Sequence, residues 1–288
     1  MSVFVMKMIA LASMLTDHLG YFLYPLFIPR NVYLIMRTVG RIAFPVYCFL
    51  IVNGFQKTHD VKKYLTRLIS FAAISQIPFV LSFDASVYIP GAGLQCQTLY
   101  PPALCLALIA AAAAGWLIGV DRGPSVIWPG LSLGVGVLEL RVNGVKLFSH
   151  ELNVFYTLAL GLSSVAVLDG LFRPERNWRR LIAQMLALAA AFALVRNYAD
   201  YRCVGAALIV TLYLTRHSRA GQAIMIALWC AVEYVLPAHM FWGYFPGALA
   251  ALAPILLYNG QLGPSTKRMF YWFYPAHLLV IGILTQLS

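Results

Sequence analysis

Asp17 and His18 stand side by side inside an apolar run that opens the chain, and Arg37 and Arg41 stand four residues apart in the next one. The second spacing puts both guanidiniums on one helix face. These are side chains that can move a proton and hold negative charge, since an imidazole titrates at about 6.5 and arginine keeps its charge. Near mid-bilayer a charge costs several kcal/mol unless it is paired or hydrated, so each of the four is a functional candidate. At about 1.5 Å per residue, Asp17 and His18 lie slightly outward of the membrane centre, with Arg41 level with them and Arg37 one turn further out. An antiparallel helix pair would gather all four into a buried Asp–Arg–His cluster. A plainer alternative is an Asp17–Arg41 ion pair that only fixes helix packing. It leaves a second arginine and a titratable histidine unexplained, next to the small residues Gly20 and Gly40.

The other polar insertions are weaker signals. His277, in Phe273-Tyr274-Pro275-Ala276-His277, reads alone as a core histidine, and Pro275 frees a backbone carbonyl that it could satisfy. Asn153 and Asp200 each open an apolar run and can cap a helix. Asp169 is placed to pair with the basic loop after it. Glu233 faces water or pairs with an arginine. Tyr258-Asn259-Gly260 reads as a helix stop followed by a turn.

The elements that must position these residues are membrane spans. Of the 288 residues, 61% are hydrophobic and only 11% charged, against about 25% charged in soluble domains. That excludes a water-surrounded enzyme, a disordered tail and a coiled coil. A helix crossing the roughly 30 Å hydrocarbon core needs about 20 apolar residues. Runs near 5–24, 31–55, 66–83, 102–120, 124–140, 153–172, 180–196, 202–215, 222–236, 243–258 and 270–287 meet that need or approach it. The expected fold is therefore all-α, a polytopic bundle of about 10–11 transmembrane helices in one domain over 1–288.

The net charge of +11 is distributed by side rather than gathered for nucleic acid. With the N-terminus cytoplasmic, inner loops hold Lys57, Lys62, Lys63, Arg67, Arg122, Arg173, Arg176, Arg179, Arg180, Arg216, Arg219, Lys267 and Arg268. Outer loops hold only Arg30, Arg141, Lys146, Arg196 and Arg202. This is the positive-inside bias, and it orients the chain N-in, C-out. The first run lacks a cleavage-site pattern, so no cleaved signal peptide is expected. Cys48, Cys105 and Cys230 read as packing residues. Cys96 and Cys203 share the outer side, where a disulfide is permitted. No metal-ligand spacing, glycine-rich phosphate loop, Gly-x-Ser-x-Gly or His-Glu-x-x-His is present.

Four stretches together resemble the TraX family of integral membrane acetyltransferases. The first is Lys7-Met8-Ile9-Ala10-Leu11 with Leu15-Thr16-Asp17-His18-Leu19-Gly20. The second is Arg37-Thr38-Val39-Gly40-Arg41-Ile42-Ala43-Phe44-Pro45-Val46, running on to Asn53-Gly54-Phe55. The third is Lys63-Tyr64-Leu65-Thr66-Arg67-Leu68 with Ser75-Gln76-Ile77-Pro78-Phe79, where the family pattern would place an acidic residue near Ile77. The fourth is Tyr258-Asn259-Gly260 with Gly263, followed by Phe273-Tyr274-Pro275-Ala276-His277-Leu278-Leu279. Between them the likeness is limited to Asn153 with Thr157 and to Ala199-Asp200-Tyr201.

The resemblance implies acetyl transfer from acetyl-CoA, without a metal, to a peptide or protein N-terminus such as that of pilin, or to a glycan. It implies a bacterial inner-membrane location. Catalytic roles would fall to His18, Asp17, Arg41, Arg37 and His277, and substrate contacts to Asn153, Tyr258, Asn259, Tyr274, Arg67 and Lys63. His18 would serve as base or acetyl carrier, the two arginines would hold the thioester oxygen or an anionic part of the donor, and the inner basic loops would attract CoA phosphates. CoA is cytosolic while the cluster lies nearer the outer face, so a tunnel for the pantetheine arm is expected. Two other classes compete. A proton-coupled transporter would use the same buried charges, but no second copy of the charged hairpin is visible. A noncatalytic membrane assembly factor would use them for packing alone.

Overall fold

The computed structural model describes residues 1–83, 90–98, 138–148, 151–172, 178, 181–182, 185–186, 188–189, 192, 199–237, 242–265 and 267–287. The runs expected over 102–120 and 180–196, most of 124–140, Cys105, and the loop arginines Arg122, Arg173, Arg176, Arg179, Arg180 and Arg196 lie wholly or mainly outside the described residues. So does the side chain of Cys96, and with it the disulfide expectation. Among the described residues the fold is helical with one small sheet. Five segments are long and apolar enough to cross a membrane, Val3–Leu23, Arg30–Lys57, Lys63–Phe83, Val154–Phe172 and Met269–Leu287. The protein is a multi-pass membrane protein.

The chain divides into two compact units, residues 1–57 with 208–281, and residues 58–207 with 282–288. In the first unit, α1 (Val3–Leu23) packs on α2 (Arg30–Gly40) and on α3 (Ala43–Lys57). The span expected as one helix over 31–55 is broken at Arg41 and Ile42. Pro45 is the cause: it offers no N–H to the Arg41 carbonyl four residues back, and its ring crowds that carbonyl. The span expected over 243–258 divides at Ala250 and Ala251 for the same reason, since Pro254 stands four residues after Ala250. Two short helices result, Tyr244–Leu249 and Leu252–Leu256.

In the second unit, α4 (Val61–Phe83) packs against α5 (Val154–Phe172). Three strands add a structure that the apolar runs do not announce: β1 (Leu94–Thr98), β2 (Leu138–Val142) and β3 (Val145–Phe148), antiparallel in the order β1-β2-β3. Thus the C-terminal end of the run at 124–140 is strand, not helix. Asn143 and Gly144, both at positive φ, make the tight turn between β2 and β3. The remaining helices are α6 (Arg202–Leu214), α7 (Arg219–Tyr234), α8 (Tyr244–Leu249), α9 (Leu252–Leu256) and α10 (Lys267–Leu287). In the first unit, α8 packs on α2, α7 and α3, and α9 on α7 and α3.

Candidate functional site

The site starts from a close approach of α1 to the broken end of α2. A Cβ on Gly40 would overlap the Asp17 side chain, so only glycine lets the two helices meet there. Gly247 does the same on α8, where a Cβ would overlap the Thr38 carbonyl oxygen. The end of α2 leaves its last carbonyls with acceptor capacity to spare. The Ser13 hydroxyl donates to those of Val39, at 2.7 Å, and Gly40, at 3.2 Å.

At that meeting point Asp17 accepts from both arginines. Arg37 Nη1 lies 2.7 Å from Oδ2, and Arg41 Nη2 lies 2.5 Å from Oδ1. Arg41 Nε also donates to the Arg37 carbonyl at 3.1 Å, a bond that their four-residue spacing allows. Each guanidinium faces an aromatic ring, Arg37 over Tyr21 at 5.7 Å and Arg41 over Tyr244 at 5.4 Å. The three charged side chains are 11%, 19% and 12% exposed. One carboxylate and two guanidiniums leave this buried group one charge positive. Arg37 Nε is buried and has no hydrogen-bond partner among the described residues. A buried donor without an acceptor, in a net-positive group, suits an oxyanion that forms during a reaction.

Adjacent helical residues diverge by about 100°, so His18 turns away from this carboxylate. Its Nδ1 lies 2.7 Å from His277 Nε2 on α10, and His277 Nδ1 lies 2.7 Å from the Phe273 carbonyl oxygen. The two imidazoles are nearly parallel, with centroids 5.0 Å apart, and the Phe273 ring stacks on His277 at 4.8 Å. Tyr274, buried, meets both imidazoles edge-on. A carbonyl only accepts, so His277 must carry its proton on Nδ1. In the neutral pair its Nε2 then accepts, His18 donates from Nδ1, and His18 Nε2 is left as the basic nitrogen. His18 is also within electrostatic reach of Arg37 and Arg41.

The arrangement differs from the sequence expectation in one respect. Asp17, Arg37 and Arg41 do come together, but His18 makes no hydrogen bond to that group and instead pairs with His277. His277 is not an isolated core histidine. It does satisfy a carbonyl, that of Phe273, its own residue four back, and not that of Tyr271, which Pro275 cannot reach. Nothing in the sequence pairs His18 with His277, because 259 residues separate them.

The other residues singled out from the sequence take different places. Tyr274 joins the histidine pair. Tyr258 lies at the opposite end of the first unit, where its hydroxyl accepts from Asn53 Nδ2 at 2.7 Å and Lys57 Nζ at 2.8 Å. Asn259 is exposed beside it, its Oδ1 accepting from the Gln261 N–H. Asn153, Lys63 and Arg67 belong to the second unit. Asn153 is fully buried and its amide holds α4 to α5: Nδ2 donates to Ala72 O and Gln76 Oε1, both at 2.8 Å, and Oδ1 accepts from the Phe155 N–H, as a cap. Lys63 is exposed and pairs with Asp60 at 3.5 Å. Arg67 Nε donates to the Lys63 carbonyl. The sequence reading overlooked Ser13, Tyr21 and Tyr244, ordinary hydroxyl and aromatic residues whose role depends on partners distant in the chain or on another helix.

The family model described as TraX protein matches residues 2–118 and 137–285, which include both arms of the histidine pair and both arginines. The chain belongs to the TraX family. This TraX-family protein is 24% identical over 295 residues to the probable fimbrial assembly protein FimC, serogroup H1, of Dichelobacter nodosus, with 97% of this chain and 94% of that protein covered. It is 38% identical over 78 residues to an uncharacterized protein of Rickettsia prowazekii (strain Madrid E), 27% of each chain. No solved structure matches the chain.

Proposed function

We propose that this TraX-family protein is a membrane acetyltransferase that moves an acetyl group from acetyl-CoA to the amine of a peptide or protein acceptor such as a pilin subunit. Family membership and the likeness to a protein named for fimbrial assembly favour a pilin-related acceptor. The observation that carries the chemistry is His18, oriented so that Nε2 is basic, near a net-positive arginine pair with a spare buried N–H. The acceptor nitrogen attacks the thioester carbonyl carbon and gives its proton to His18 Nε2. Arg37, held in place by Asp17, faces the oxyanion with its Nε–H. Collapse breaks the carbon–sulfur bond, and the CoA thiolate leaves with the proton from His18. His277 stays neutral and keeps His18 in the productive tautomer. The cluster stands roughly 21 Å along α1 from Val3, so the thioester of a donor arriving from the cytoplasm has to reach about that far into the membrane. A bacterial inner-membrane location accords with this use of cytosolic donor.

The test is incubation of purified protein with radiolabelled acetyl-CoA and a peptide carrying a pilin N-terminus, with a glycan acceptor in parallel. We expect the peptide to be labelled, and His18→Ala to lose about 10²-fold or more of the rate. His277→Ala should lower kcat and leave KM for the donor unchanged. Labelling of the glycan alone would move the acceptor class. Wild-type protein that neither binds acetyl-CoA nor releases CoA would sink the proposal and favour transport.

A further inference from the structure

The end of the first unit opposite the histidines carries a second group of charges, which the mechanism above does not use. Lys57, at the end of α3, stands off the hydroxyl end of Tyr258, 5.5 Å from the ring centre, and Arg219, at the start of α7, lies 5.3 Å from the same ring centre. Arg219 also faces Phe49 at 5.6 Å. Neither cation has a carboxylate partner among the described residues. Lys57 Nζ donates to Tyr258 Oη at 2.8 Å and to the Gly260 carbonyl at 2.9 Å. Arg219 donates to the carbonyls of Ile255, at 3.3 Å, and Tyr258, at 3.5 Å. These acceptors are all neutral, so two like charges stand at one tyrosine without a carboxylate partner among the described residues. The Tyr258 hydroxyl, accepting from both Asn53 and Lys57, keeps its own hydrogen to donate, with no acceptor among the described residues. Two cations with unused N–H groups and a phenol with a spare O–H, all half-buried or exposed at one place, present a set of donors suited to an acceptor that carries negative charge.

We propose that Lys57, Arg219 and Tyr258 form a binding site for a phosphate or diphosphate group. The charge count places this end of the protein in the cytoplasm. Resting on the acetyltransferase reading, the group is the nucleotide end of the donor. Ala43 to Lys57 along α3 is roughly 21 Å, which is on the order of the reach of an extended pantetheine–diphosphate arm. A donor anchored here would thus present its thioester near Arg41. The same chemistry would hold the headgroup of an anionic phospholipid, and the experiment separates these sources.

Protein in nanodiscs of phosphatidylcholine alone is titrated with CoA, with pantetheine and with inorganic pyrophosphate. Lys57→Gln, Arg219→Gln and Tyr258→Phe are run beside wild type, and Arg219→Lys serves as the conservative control for folding. We expect each loss of a cation to weaken CoA about tenfold, pyrophosphate to compete with CoA, and pantetheine to bind all variants alike. Unchanged CoA binding in the folded variants would overturn the donor assignment. A second series in nanodiscs containing spin-labelled phosphatidylglycerol then decides the rest. Lipid immobilised by wild type and released by the two Gln variants would uphold a phosphate site with a lipid occupant. Loss of neither ligand would overturn the site altogether. Wild type that binds pyrophosphate through these residues but not CoA would leave this site standing while the acetyltransferase reading fails.

Discussion

Replacing Asp17 by Asn removes one negative charge and little volume, and the cost is set by the two arginines around it. Asp17 accepts from Arg37 at 2.7 Å and from Arg41 at 2.5 Å, with all three side chains less than one-fifth exposed. The intact group carries one net positive charge; Asp17→Asn raises that to two, in a place where water does little to screen it. Breaking a buried pair in this way costs about 3–5 kcal/mol, because the remaining charge stays desolvated. Arg37→Gln runs the other way, since it leaves Asp17 paired with Arg41 and the group neutral. We therefore expect Asp17→Asn to be the more damaging by at least about 1–2 kcal/mol, although Asp17 is the smaller side chain. Combining Asp17→Asn with Arg37→Gln should restore part of the loss, with a coupling of about 0.5–3 kcal/mol between the two positions. The assay is thermal unfolding in one detergent at fixed lipid content, followed by intrinsic fluorescence. If Arg37→Gln proves as costly as Asp17→Asn, or the double variant is no better than Asp17→Asn alone, the three residues are not a desolvated unit and the reasoning is refuted.

Two further changes test the positions that support the site. Gly40→Val puts atoms where Asp17 already stands, so α1 and α2 must separate; a loss of about 1–3 kcal/mol is expected by the same unfolding assay, with activity falling further than stability explains. Asn153→Leu removes the side-chain donor to Ala72 O and to Gln76 Oε1, which keeps the Asn153 N–H, and leaves the buried Phe155 N–H uncapped; it should cost about 1–3 kcal/mol, read as faster protease cleavage between α4 and α5.

Much of this molecule is legible in the order of its amino acids. The shortage of charge and the length of the apolar runs require membrane-spanning helices, because unpaired backbone has no partner in hydrocarbon. The residues expensive to bury, Asp17, His18, Arg37 and Arg41, announce themselves for the same reason, and their depth follows from the helical rise. The breaks at Arg41 and Ala250 are also open to reading, since Pro45 and Pro254 each stand four residues later, but hydrophobicity alone runs straight through them. The strands at 94–98 and 145–148 escape notice because they fall in connections between the apolar runs, and the one at 138–142 because its first residues continue such a run.

Composition and spacing leave undecided which polar group meets which. Helical geometry turns His18 away from Asp17, yet only packing of α10 against α1 supplies His277 as its partner. The Phe273 carbonyl then selects the tautomer. Likewise Lys57 and Arg219 look in the chain like two more inner-loop charges. They become a shared site only when α3, α7 and the end of α9 bring both cations to the ring of Tyr258. Burial is a property of single residues and can be read along the sequence; hydrogen-bond pairing depends on angles and distances between helices remote in the chain, and the tertiary fold alone decides it.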